Sequence, residues 1–277
     1  MVVYGIVIMK TSSHKSKLNS KQLHLLKIIY KFRYVSAKLI SKYLGLTVST
    51  INSNLKILVD QGYISRFYSS SYKLNGKGAS YYLTVKSINL LKNDEVFNLR
   101  SLKLMYKNKS LSQVTIDHHL LIFECYLKLR TKFKDGYRIY GKYELYGDET
   151  YPNPPADLYI QKIQSAQNAR SDYLIDIFED TPPFVIEKRL KSIMDHLEDG
   201  GYQESTNRAY PAILIICADE RIEKRLMKPI EYVHDSTANY KQPILTTTLK
   251  RFNDSKSVDE IVWTDALEPE KIIIIQA

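Results

Sequence analysis

Ser49, Thr50, Asn52, Ser53 and Lys56 sit at spacings that place them on one outward face of a helix. Hydroxyls, a carboxamide and an ammonium are the groups that hydrogen-bond base edges in a major groove and the phosphates beside them. Arg66, Lys73 and Lys77 follow, where a β-ribbon behind such a helix would press on the DNA backbone or minor groove. The competing reading is a helical hairpin with a polar face, which needs none of this chemistry. Other reactive types are less well placed. Cys125 and Cys217 lie far apart in apolar runs, as buried thiols do, with neither zinc-ligand nor disulfide-framework spacing. His118 and His119 are adjacent, which suits capping a helix and packing between domains better than a metal cluster. None of the 22 tyrosines stands out as a nucleophile, and no glycine-rich phosphate loop supports an ATPase or helicase.

The elements that must position those polar residues are legible between Ser36 and Leu83. Ser36 is a good N-cap, and Ala37, Ile40 and Leu44 form an apolar stripe at helical spacing. Gly45 offers a left-handed stop, and Thr47 caps the next helix, whose Ile51, Leu55 and Leu58 face inward. Gly62 ends that helix before the strand-like Ile64–Tyr68, which pairs with Ser80–Leu83 around a polar tip. Two short helices, a tight turn and a ribbon are the grammar of a winged helix-turn-helix. An earlier helix capped by Asn19 or Ser20 buttresses the pair through Leu23, Leu26, Ile29 and Tyr30, leaving Lys21, Lys27 and Lys31 outside.

Charge is divided unevenly. The net charge is +10, yet residues 1–110 hold 19 basic residues against Asp60, Asp94 and Glu95, while the remainder holds 21 basic and 27 acidic ones. Biased composition would act along the whole chain, so the split points to a polyanion partner for the first part. No run of eighteen apolar residues is present, and no membrane partner is expected. Met1–Met9 is apolar but short and without a basic lead, as an extra strand, a disordered lead or a misassigned start would be. With two lone cysteines, the expected compartment is the cytoplasm.

The expected organisation is a flexible basic arm over 1–18, a winged helix-turn-helix over 19–92, a linker over 93–113 and an α/β domain over 114–277. In the last, Asp117-His118-His119 opens an amphipathic helix with Leu120, Phe123, Leu127 and Leu129 mostly buried. Strands follow at Tyr137–Leu145, Leu158–Ile163 and Tyr173–Phe178, with a hairpin loop over 164–172. Helices over 184–197 and 219–233 flank the fully apolar Ala212–Cys217, which reads as a central strand. Leu245–Leu249, Ile261–Trp263 and Ile272–Ile275 complete a mixed sheet flanked by helices, an α+β chain overall.

Over roughly residues 20–265 this order of motifs resembles the replication-relaxation family of bacterial plasmids and integrated elements. The pieces are Gly62-Tyr63-Ile64-Ser65-Arg66, Gly78–Thr84, Asp117-His118-His119-Leu120, Pro155-Ala156-Asp157, Tyr173–Phe178 with Thr181 and the Lys188 helix, Pro211–Cys217 with Arg221, Thr246–Leu249 and Val262-Trp263. The resemblance implies a winged helix followed by a restriction-endonuclease-like core. Nucleases of that fold hold a divalent metal between two carboxylates, with a lysine beside the second. Asp157 and Asp176 would then be catalytic and metal-ligating with Mg²⁺ or Mn²⁺, and Lys188 or Lys191 would supply the cation, with Glu187 as a third carboxylate. The position two beyond Asp176 is Phe178, which can neither ligate nor stabilise charge. The alternative is a degenerate core kept for binding. The expected function is therefore duplex DNA binding in replication or mobilisation, alongside other replication or mobilisation proteins and as a homodimer. Metal-dependent nicking and transcriptional regulation are the alternatives.

Overall fold

The computed structural model describes residues 18–68, 76, 78–133, 136–163, 172–235 and 243–275. The arm before Leu18, the wing tip with Lys73 and Lys77, and the 164–171 loop lie outside them.

Helix α1 (Ser20–Phe32) opens on a capping box in which Asn19 and Gln22 satisfy each other's backbone amides. A short strand β1 (Val35–Ser36) leads into α2 (Ala37–Leu44), where the Ser36 hydroxyl accepts from the Leu39 amide. Gly45, at φ +66°, ends α2 in the left-handed region that glycine enters without steric cost. Thr47 caps α3 (Val48–Asp60), which buries Ile51, Leu55 and Leu58 as its spacing predicts. β2 (Ile64–Phe67) and β3 (Ser80–Leu83) pair antiparallel, Ile64 opposite Leu83 and Phe67 opposite Ser80. β1 joins the far side of β3, a third strand that two residues are too few to announce. Helix α4 (Val85–Leu91) follows Thr84, whose hydroxyl donates to the carbonyls of Gly62 and Tyr63 and so ties the helix to the wing's base.

The stretch 93–113, expected as a linker, is a folded junction. Polar surface residues suggest a loop, but Asn98 caps α5 (Leu99–Met105), and Leu102, Met105 and Asn108 are buried. Helix α6 (Gln113–Phe133) starts one turn earlier than expected, so His118 and His119 lie inside it and do not cap it. Strand β4 (Tyr137–Gly141) stops four residues short of Leu145. At Gly141 the amide is taken by the Glu144 carboxylate at 2.7 Å, and the chain turns into a single helical turn, α7 (Lys142–Leu145).

β5 (Leu158–Lys162), β6 (Tyr173–Phe178), α8 (Pro183–Glu198), β7 (Ala212–Cys217), α10 (Glu220–Asp235) and β8 (Ile244–Thr248) fall close to their expected places. The short α9 (Gly201–Thr206), α11 (Leu249–Asp254), β9 (Trp263–Asp265) and β10 (Ile272–Ile273) complete the chain. Seven strands form one mixed sheet in the order β10-β9-β8-β7-β6-β5-β4, parallel across β6-β7-β8 and antiparallel outside them.

Because side chains alternate along a strand, β7 serves two cores. Ala212, Leu214 and Ile216 face the one that contains α6, while Ile213, Ile215 and Cys217 face the one under α8 and α10. The first core does not end at the sheet. It runs through Phe123, Tyr126 and Leu129 of α6 into Leu26, Ile29 and Phe32 of α1, so both halves of the chain share one apolar interior. Phe32 stacks on Phe123 with centroids 3.8 Å apart. Arg33, at φ +66°, donates to Asn108 Oδ1, the Tyr143 hydroxyl and the Leu104 carbonyl. Lys31, expected in solvent, instead bonds Ile139 O and Glu144, both at 2.8 Å.

Candidate nucleic-acid interface and carboxylate cluster

Helix α3 commits its inward face to the core, which turns Ser49, Thr50, Asn52, Ser53 and Lys56 outward, all exposed. Two of these spend a hydroxyl within the helix: Thr50 pairs with Thr47 at 2.8 Å, and Ser53 donates to Ser49 O at 3.1 Å. Asn52 and Lys56 keep their side-chain donors turned to solvent. Beside them Leu46, Val48 and Ile57 are exposed apolar residues. That array combines polar groups for base edges with methyls for a thymine methyl. The polar members were legible in the sequence, but Leu46 and Val48 were not, since an apolar residue at a helix start reads as core. Arg66 is exposed on β2, opposite Tyr81, one residue from the strand's outer end.

The second assembly lies at one end of the β5–β6 pair. The peptide N–H of Asp157 donates to Asp176 Oδ1 at 3.2 Å, so the two expected carboxylates do converge. The cations that meet them are not the expected ones. Lys142 Nζ lies 3.2 Å from Asp157 Oδ1, and Arg189 donates to Asp176 through Nε at 2.8 Å and Nη2 at 3.3 Å. Arg189 also holds the Pro154 carbonyl. Lys188 lines the same cavity, of about 690 Å³, but is exposed and bonds neither carboxylate. Glu187 and Lys191 do not line that cavity.

Helical periodicity contains the signal for Arg189. Ile186, Leu190, Ile193 and Met194 are the buried positions of α8, and Arg189 falls at the edge of their arc, whereas Lys188 falls on the opposite face. Lys142 carried no such signal, because its stretch reads as a continuing strand.

Asp157 Oδ2 accepts from the Ile177 amide at 3.1 Å and lies 3.6 Å from His118 Nε2. His118 Nδ1 meets Glu179 at 2.9 Å. Burial alone would raise the Asp157 carboxyl; Lys142, His118 and the Ile177 amide together carry it well below the usual carboxylate range. For His118, burial opposes charge, but Asp157 and Glu179 override it and the imidazole is pushed up to about 10. His119 is the opposite case: burial, then Arg33, His118 and Lys142, hold it well below its ordinary value. It stacks against Tyr34 and meets the Tyr143 hydroxyl at 3.3 Å, between the two halves of the chain.

All four oxygens of Asp157 and Asp176 thus face N–H donors or cations. A divalent ion could bind here only by displacing Lys142 or Arg189 from these oxygens, so the donor set as it stands does not fit one. Among the described residues no three His, Cys, Asp or Glu side chains are grouped to hold a metal. No described helix is long and apolar enough to cross a membrane.

Neither curated proteins nor solved structures gave a match. Residues 18–71 match the MarR family, over the stretch from α1 into the wing, and mark it as a winged-helix DNA-binding domain.

Proposed function

We propose that this chain is a sequence-directed duplex DNA-binding protein in which α3 enters the major groove and the α/β half is a rigidly attached, non-cleaving partner. The exposed face of α3, with Asn52 and Lys56 turned to solvent on a winged helix, carries the reading. The basic excess in residues 1–110 and the MarR match over 18–71 support it. The order of strands and helices around Asp157 and Asp176 supports a restriction-endonuclease-like ancestry, and through it a role in plasmid or mobile-element replication or mobilisation, with other proteins of that process and as a homodimer. The MarR match supports transcriptional regulation equally, and genomic footprinting separates the two by returning an origin or promoters. The test of the main reading is anisotropy of the full chain on random and selected duplexes. Tight, salt-sensitive binding with a preferred sequence is expected, and equal affinity for a neutral polymer would sink it.

The second reading, Mg²⁺- or Mn²⁺-dependent nicking at Asp157 and Asp176, is favoured by the convergence of those carboxylates beside Lys142 and opposed by the Arg189 clamp. Supercoiled plasmid incubated with either ion decides it. No cleavage beyond that of an Asp157→Ala control is expected, and cleavage lost in that control would overturn the non-cleaving assignment.

A further inference from the structure

We infer that the basic groove between α2, α6 and the end of α11 is a second phosphate-binding track for duplex DNA, continuing from the winged helix onto the α/β half. The groove encloses about 720 Å³ and is lined by Lys38 and Lys42 of α2, Lys128, Arg130 and Lys132 of α6, and Lys256 beyond α11. Glu124 is the acidic residue in that lining. The inference rests on the DNA-binding reading but concerns a surface that no residue of α3 lines.

Three observations support it. First, among the described residues none of these six cations forms an ion pair with a carboxylate, whereas Arg189, Arg208, Arg225 and Arg251 in the same half all do. Three of the groove's cations are held by neutral acceptors instead. Lys128 meets Asn253 Oδ1, Lys132 meets the carbonyl and hydroxyl of Ser255, and Arg130 donates to Tyr43 O at 3.2 Å. These bonds orient positive charge without cancelling it. Second, among the described residues Lys132 is a buried ammonium that no carboxylate meets at ion-pair distance. Burial, then Lys128, push its pKa down against the weaker pull of Glu260, and an approaching phosphate would add to that pull. Third, the concentration of cations runs against its surroundings, because residues beyond 110 are net acidic.

Duplex DNA suits this groove better than a small anion. The cations come from three elements and follow an open trough. The trough begins on the helix before the recognition helix, the one that crosses the DNA backbone when its partner enters the groove. Phosphates along that path would release counterions at each cation they meet.

The test uses the full chain with Lys128→Gln, Arg130→Gln and Lys256→Gln combined, and a second variant with the exposed Lys38→Gln, Lys42→Gln and Lys256→Gln. Duplex affinity is read over a salt series. The slope of log affinity against log salt should fall by about 0.9 for each phosphate no longer neutralised, roughly two to three in all, with sequence preference unchanged. If both variants keep the wild-type slope while Lys56→Gln lowers it, the groove proposal fails and the DNA reading stands. If Lys56→Gln and Asn52→Ala are silent as well, the DNA reading itself fails. Inorganic phosphate is the remaining arm: thermal stabilisation of wild type but not of the variants, with an unchanged DNA slope, would make the groove a free-anion site and overturn the proposal.

Discussion

Arg189 grips Asp176 side-on, Nε to Oδ2 at 2.8 Å and Nη2 to Oδ1 at 3.3 Å, with both side chains buried. A guanidinium occupies both oxygens that Asp176 could offer a metal. The bidentate geometry is the strong form of such a pair, and burial makes it costly to break from one side.

Arg189→Met keeps most of the apolar stem and removes the charge, leaving Asp176 buried without its partner. Urea unfolding should show a loss of about 3–5 kcal/mol, the range for an orphaned buried charge. Adding Asp176→Asn to that variant should recover part of the loss, because the stranded charge is then gone. A double variant no more stable than Arg189→Met alone would mean the pair is not the source of the effect.

The shared interior sets a second expectation. Phe32 stacks on Phe123 at the seam, and Tyr30 donates to the Tyr143 carbonyl at 2.8 Å across it. Phe32→Ala should cost about 3–5 kcal/mol, and the whole chain should still unfold in one transition, since a core aromatic of this kind belongs to a single cooperative unit. Two separated transitions, with the variant shifting one of them, would show that the halves fold independently. For the same reason, a cut near residue 110 is a poor way to divide the functions, because it would expose Leu102, Met105 and Phe32.

The winged helix was legible because its signals are local. Ser36 and Thr47 cap, Gly45 and Gly62 stop, and Ile51, Leu55 and Leu58 repeat at helical spacing. Strand β7 was legible from its unbroken apolar run, and β5, β6 and β8 from short stretches of apolar, aromatic and β-branched residues. The junction was not, because Leu102 and Met105 are set among Arg100, Lys103, Lys107 and Lys109, so only tertiary packing reveals them as core. The cluster was half legible. Asp157 and Asp176 stand out as acids at strand ends, but Lys142 and Arg189 reach them from elements distant in sequence. Asp172 follows the same logic: it is buried and accepts from Tyr159, Tyr202 and Arg208, a network assembled from four separate stretches of the chain.

His118 gives a pH dependence with a definite sign. Its folded value, about 10, lies above the ordinary 6.5, so its contribution to stability is complete below about pH 6.5 and is lost as pH rises toward 10. Asp157 acts oppositely: its depressed value contributes above the ordinary carboxyl range and is lost in acid. His118→Gln should therefore flatten the decline in stability between neutral and alkaline pH while leaving the acid limb in place. Side-chain nitrogen shifts offer a direct check, with the His118 imidazole still protonated at about pH 8. A neutral ring at that pH would contradict the assignment.

Recognition and attraction should separate on α3 itself. Asn52 presents a carboxamide that can pair with two adenine atoms at once, whereas Lys56, one turn further on, presents a single charge to whatever phosphate is nearest. Asn52→Ala should weaken binding to the preferred sequence by about 1–3 kcal/mol and relax preference at one base pair, with little change on random DNA. Lys56→Gln should weaken both duplexes together and reduce the salt slope by about one. Neither change touches the core, since both side chains are exposed, so thermal unfolding should match wild type. Equal losses on specific and random DNA from Asn52→Ala would move that residue from base reading to phosphate binding. The polar face of α3 would then serve attraction alone, with sequence preference left to the exposed Leu46, Val48 and Ile57 beside it.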